Sequence, residues 1–122
     1  ALLQPTNPLR LSADVDGCVE LMRREQVGSV NTVAPAFMHP ARQLWADTLQ
    51  PVFPGHYRAN TRRQDLREAY DRDGSVYLTR TEWIQRGKWY APDGLVYVIP
   101  KRRHLDIDGE EDLEIAAALL WQ

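Results

Sequence analysis

The stretch YDRDGSVYLTRTEW, residues 70–83, decides how the chain around it folds, because two incompatible structures fit it at first sight. Asp71, Asp73, Ser75, Tyr77, Thr79 and Glu82 stand at the spacing of positions 1, 3, 5, 7, 9 and 12 of an EF-hand calcium loop. The sixth position of that loop must be glycine, where the backbone turns sharply. Here it is Val76, a branched residue that disfavours positive φ. Ser75 to Thr79 has strand composition, and Gly87 ends the following helix too soon for a calcium hand. A second Asp-x-Asp-Gly, at Asp106, has Ala117 where the twelfth-position acid belongs. Asp73-Gly74 therefore reads as a turn leading into a strand.

Working outward, the rest of the chain alternates between strand and helix signals. Ala1 to Leu3 is a short apolar run stopped by Pro5 and Pro8, hence a strand and then a loop. Ser12, with Asp14 and Asp16 behind it, opens a helix whose stripe is Val15, Cys18, Val19 and Met22 and whose end is Gly28. Ser29 to Val33 follows as a strand. Arg62 to Tyr70 is polar with helical character, and Thr81 to Arg86 is a short helix closed by Gly87. Leu95 to Ile99 reads as a buried strand between Gly94 and Pro100. Asp108 begins a last helix with Leu113, Ala116, Ala117 and Leu120 on one face. This order predicts an α/β domain with a largely parallel sheet.

Residues 35–58 interrupt the pattern. Four of the eight prolines lie there (Pro35, Pro40, Pro51 and Pro54), with Phe37, Trp45, Phe53 and Tyr57. Such a stretch is an excursion from the sheet whose aromatic groups need cover.

Bulk composition narrows the function classes. A net charge of −2, from 15 basic and 17 acidic residues in a chain of 122, offers no field for nucleic acid or acidic membranes. The longest apolar run, Ile115 to Trp121, is too short to span a bilayer. One cysteine, Cys18, allows no internal disulfide, which suits a reducing cytoplasm, and its place on the helix stripe makes it core filler. The opening Ala-Leu-Leu has the character of a strand end rather than a surface tail, so the sequence is expected to start inside a fold.

Five segments come in fixed order: LLQPTNPLR at 2–10, HPAR at 39–42, RRQDL at 62–66, DGSVYL at 73–78 and LDIDGEEDLEIA at 105–116. Together they resemble the acylneuraminate (CMP-sialic acid) cytidylyltransferase family, which includes enzymes for other eight- and nine-carbon keto-sugar acids. The family pattern runs LLQPTSPLR, HP with a basic residue two positions on, RPNGAIY, then DIDTxxDL. Two departures stand out. Asp71-Arg72-Asp73-Gly74 replaces the family's RPNG, and the glycine-rich, lysine-containing loop that holds the triphosphate has no counterpart, since the seven glycines never fall within six residues of one another. The resemblance thus implies a Rossmann-like three-layer nucleotidyltransferase fold with its N-terminal strand and phosphate loop missing, the C-terminal portion of a single domain.

The resemblance also implies roles. Gln4 would hydrogen-bond the sugar; a polar loop start explains it as well. Arg42 and Arg63 match basic positions for the sugar acid, whose carboxylate suits forked donors, although a solvated surface role accounts for either alone. Asp73 and Tyr77 fall in the strand motif that faces the substrate, and Trp89-Tyr90 takes the place of an aromatic pair walling the N-acyl pocket; core or surface contact is the plain alternative. His39 belongs to the His-Pro pair and is structural. Asp106 and Asp108 match the family's magnesium-binding pair, and hard carboxylate oxygens at i and i+2 of an extended segment share one side. Asp108 is equally a helix N-cap, with Glu111 completing a capping box. The implied reaction is transfer of CMP from CTP to a keto-sugar acid with loss of pyrophosphate, in a cytoplasmic homodimer joined through residues 35–58. The competing reading is an incomplete, non-catalytic module that only dimerises or holds sugar.

Overall fold

The computed structural model describes residues 1–57 and 60–121, in two units: residues 1–34 with 72–122, and residues 35–71. The first unit is built on a sheet of order β2-β1-β3, in which β1 is Ser29–Pro35, β2 Tyr70–Thr79 and β3 Leu95–Val98. The sheet is mixed: β1 and β3 run parallel, in register from Val30 opposite Leu95 to Val33 opposite Val98. β1 is central, so it is buried almost continuously. Between β1 and β2 the Thr32 hydroxyl serves as both donor and acceptor, giving to the Val76 carbonyl and receiving the Val76 N–H at 2.8 Å.

Helix α1, Ser12–Glu25, packs on this sheet through Cys18, Val15, Leu21 and Met22, which meet Val27, Val30, Val76, Leu78 and Tyr97. The expected Val19 is replaced on that face by Leu21. Gly17 lets the helix approach β3, because a Cβ there would sit 2.5 Å from the Tyr97 ring. The cap is Leu11 rather than Ser12, with the Asp14 carboxylate accepting the Leu11 N–H, and the helix ends at Gln26 in the left-handed region, two residues before Gly28.

Several sequence expectations change in the structure. Ala1 to Leu3 forms no strand but a single antiparallel bridge, Leu2 to Tyr77, closed by two backbone bonds of 2.9 Å. β2 starts earlier than Ser75, and its Gly74 adopts φ of 79° inside the strand, so the calcium loop is absent and the side-chain alternation is broken there. Helix α2, Thr81–Gln85, ends before Gly87 at φ of 70° as the sequence implies. β3, read as buried, is an edge strand with Leu95, Val96 and Val98 exposed; composition signals a strand but not its place in the sheet. Helix α3, Glu110–Leu120, is capped at Gly109 rather than Asp108. The capping carboxylate is that of Asp112, which accepts the N–H groups of Asp108 and Gly109. Of its apolar residues Ala116 is buried, while Leu113 and Leu120 are exposed.

Among its described residues the second unit, residues 35–71, holds three short 3-10 turns, Pro40–Arg42, Pro54–His56 and Arg63–Asp65, the last being all that forms of the expected helix at 62–70. His39 caps the first turn: its Nδ1 accepts the Ala41 N–H, so Nε2 carries the proton and donates to the Arg67 carbonyl at 2.8 Å. This is the structural role expected of it.

Candidate functional site

Glycine 74 organises the first unit's polar side. Its positive φ and its crowding exclude any side chain: a Cβ would meet Gln4 Oε1 at 2.0 Å and Asn7 Oδ1 at 2.4 Å. The loop from Gln4 to Arg10 is folded over this turn. Arg10 Nη1 donates to the Gln4 and Ser75 carbonyls at 3.0 and 3.2 Å, which fastens the loop to β2.

Beside it lies a recess of about 260 Å³ lined by Leu2, Gln4, Tyr77, Trp89 and Tyr90. The Tyr77 and Tyr90 rings meet edge to face, 6.5 Å apart at 61°. The Thr79 hydroxyl donates to the Trp89 carbonyl at 2.6 Å and holds the aromatic pair's loop against β2. Burial above all, and then Tyr90, push the Tyr77 hydroxyl above its ordinary range despite the opposing charge of Arg72, with Asp73 and Asp106 adding to the rise. Tyr77 is therefore a neutral phenol with a proton to donate at physiological pH. Arg72 is a residue that the sequence did not single out. Its guanidinium carbon stands 4.6 Å from the centre of the Tyr90 ring, and Nη1 donates to the Tyr90 oxygen at 3.0 Å. An arginine five residues before Tyr77 reads as opposite-facing in a regular strand; Gly74 removes that parity.

Asp73 is buried, with its carboxylate accepting the Ser75 hydroxyl and Oδ1 left without a donor among the described residues. It faces the interior rather than the recess opening. Asp106 and Asp108 are exposed on either side of half-buried Ile107. Neither is in an ion pair among the described residues. The magnesium that the sequence resemblance implies fits this pair: two free hard-oxygen donors would leave positions open for phosphate oxygens. The described residues contain no group of three His, Cys, Asp or Glu side chains able to hold a metal by themselves.

The acidic segment is anchored through Arg103, whose Nη2 meets Asp14 Oδ1 at 2.8 Å and whose Nη1 pairs with Oδ2. Burial alone would raise the Asp14 carboxyl, but Arg103, the Leu11 N–H and Arg10 outweigh it and hold the group below the usual carboxylate range.

Arg42 and Arg63 belong to the second unit. Arg42 donates to the Thr61 carbonyl at 2.5 Å, and Arg63 to the Ala36 carbonyl at 3.2 Å. Arg63 also lines a recess of about 260 Å³ within that unit, together with His39, Arg67, Glu68 and Tyr70.

No protein-family model matches the chain. Pseudaminic acid cytidylyltransferases from two strains of Campylobacter jejuni subsp. jejuni are each 37% identical over 65 residues, 52% of this chain and 27% of theirs. The chain matches the sialic-acid-like cytidylyltransferases over part of its length. A longer but weaker match is to post-translational flagellin modification protein B of Campylobacter coli, 24% identical over 119 residues, 97% of this chain and 51% of that one. The matched part is thus 27% of the length of the two cytidylyltransferases and 51% of that of the flagellin modification protein. Among the described residues, no helix is long and apolar enough to cross a membrane.

Proposed function

We propose that this chain is the sugar-side and magnesium-side portion of a Rossmann-like cytidylyltransferase that moves CMP from CTP to a sialic-acid-like keto-sugar acid and releases pyrophosphate. The observation that carries the reading is the loop from Gln4 to Arg10: one end of it borders the aromatic recess and the middle bonds to the Asp106 segment. A sugar pocket and an acidic pair on a common support are what an in-line transfer between a sugar hydroxyl and an α-phosphorus needs.

In this reading Tyr77, Trp89 and Tyr90 wall the acyl and ring faces of the sugar, and Gln4 supplies amide hydrogen bonds. Asp73 supports the turn behind them. Arg42 and Arg63, in the second unit, are forked donors of the kind a carboxylate takes, and no position relative to this recess is assigned to them. Asp106 and Asp108 hold magnesium; when bound, the ion supplies charge neutralisation at the phosphate oxygens. The enzyme works in the cytoplasm as a homodimer, joined through the second unit, where Phe37, Trp45 and Phe53 are exposed. Sedimentation at micromolar concentration is expected to return about twice 14.1 kDa, and a clean monomer would contradict the dimer.

The test of the reaction is pyrophosphate release with CTP and a panel of keto-sugar acids. The chain of 122 residues alone is expected to be inactive, because its own glycines form no phosphate loop. Joined to a segment supplying that loop, it is expected to turn over one of the sugars. Turnover by the isolated chain, or failure of every sugar in the longer protein, would overturn the reading.

A further inference from the structure

Asp106 is held from both sides by a single dipeptide. On one side the Leu105 carbonyl accepts a hydrogen bond from Asn7 Nδ2 at 3.2 Å; on the other the Ile107 N–H donates to the Thr6 carbonyl at 2.9 Å. Asn7 itself is buried, and the same Nδ2 donates to the Asp73 carbonyl at 2.5 Å. Both partners are acceptors, so the amide's NH2 must face them and its orientation is fixed. Oδ1 is thereby turned into the crowded space above Gly74, next to Gln4 Oε1, with no donor among the described residues.

This arrangement has a chemical requirement. One short side chain must offer two N–H donors to carbonyls on two different segments, 66 and 98 residues away in sequence. Serine has one donor, aspartate has none when ionised, and glutamine is a methylene too long. Asparagine meets it in this chain. We propose that Asn7 is a positioning residue: it sets Asp106 at a fixed separation from Gln4 and the Gly74 turn, and so registers the metal-holding pair against the sugar-side recess. The proposal rests on Asp106 being a metal ligand. Asn7 touches neither metal nor sugar; it acts through the Leu105 carbonyl.

The experiment uses manganese as a spectroscopic probe of the magnesium site. Mn²⁺ affinity of the native protein, Asn7→Leu, Asn7→Ser and Asp106→Asn is read by electron paramagnetic resonance well below each melting temperature, with Ile107 amide exchange measured alongside. Loss of the two donors in Asn7→Leu is expected to weaken Mn²⁺ about tenfold, as removal of a residue supporting a metal ligand does, and to speed Ile107 exchange. Asn7→Ser, with one donor, should fall between it and the native protein, and carries the test if Asn7→Leu does not fold. A merely structural Asn7 would lower the melting temperature and leave Mn²⁺ affinity per folded molecule unchanged, and that result refutes the proposal. If the native protein binds Mn²⁺ no better than Asp106→Asn, the metal reading itself fails and takes the proposal with it.

Discussion

An Asp14→Asn substitution leaves Arg103 without the charge around which its site is built. In the native protein Asp14 accepts three N–H groups: that of Leu11 at 2.8 Å, Arg103 Nη2 at 2.8 Å, and Arg103 Nη1. Asparagine keeps one acceptor oxygen and turns an NH2 toward the guanidinium, donor against donor. Breaking a buried ion pair from one side costs about 3–5 kcal/mol. The Asp14 side chain is 3% exposed and that of Arg103 18%, so the stranded arginine regains some water and the expected loss is at the lower end, about 3 kcal/mol. That is a large share of the roughly 5–15 kcal/mol that holds a domain folded.

The sign of the pH dependence follows from the lowered carboxyl. Because the folded group titrates below the unfolded one, its stabilisation is complete above the unfolded range, near pH 4. It is lost as pH falls through the folded value. The stability gap between native protein and Asp14→Asn should therefore be flat between about pH 5 and 8 and should close under stronger acid. Urea unfolding followed by tryptophan fluorescence at a series of pH values measures it. A gap under about 1 kcal/mol at neutral pH, the size of an exposed pair, would refute the reasoning. So would a gap that persists unchanged in acid.

Two other predictions rest on the same interior. Burial first, and then the charges of Asp14 and Asp73, push the Cys18 thiol up to about 12, so the folded protein should resist a thiol-reactive chromogenic disulfide at pH 8 and react only as it unfolds; prompt labelling of the native state would contradict the buried placement. Gly74→Ala forces a side chain into the left-handed region at φ of 79° and against Gln4 and Asn7, and should cost at least about 1–2 kcal/mol in urea unfolding. An unchanged midpoint would mean that the turn is not as tight as described.

Much of the local structure was legible in the residues. The spacing of Val15, Cys18 and Met22 specified a helix and Gly87 the end of α2, because each signal depends on residues within a few positions of one another, whereas the turn read at Asp73-Gly74 proved to be a distortion inside β2. The order of short motifs also pointed to the cytidylyltransferases, which the chain matches over part of its length. What the sequence left open was which segments meet. Asp14 reads as a first-turn acid favoured by the helix dipole, yet its partner Arg103 lies 89 residues on. Leu95 to Val98 has the composition of a buried strand, but only sheet order puts it at an edge. Asn7 looks like a loop residue beside a proline until Asp73 and Leu105 are brought to it. Periodicity is a local property of the chain and can be read along it, whereas burial and long-range hydrogen bonding depend on the neighbours that folding supplies, and those exist only in three dimensions.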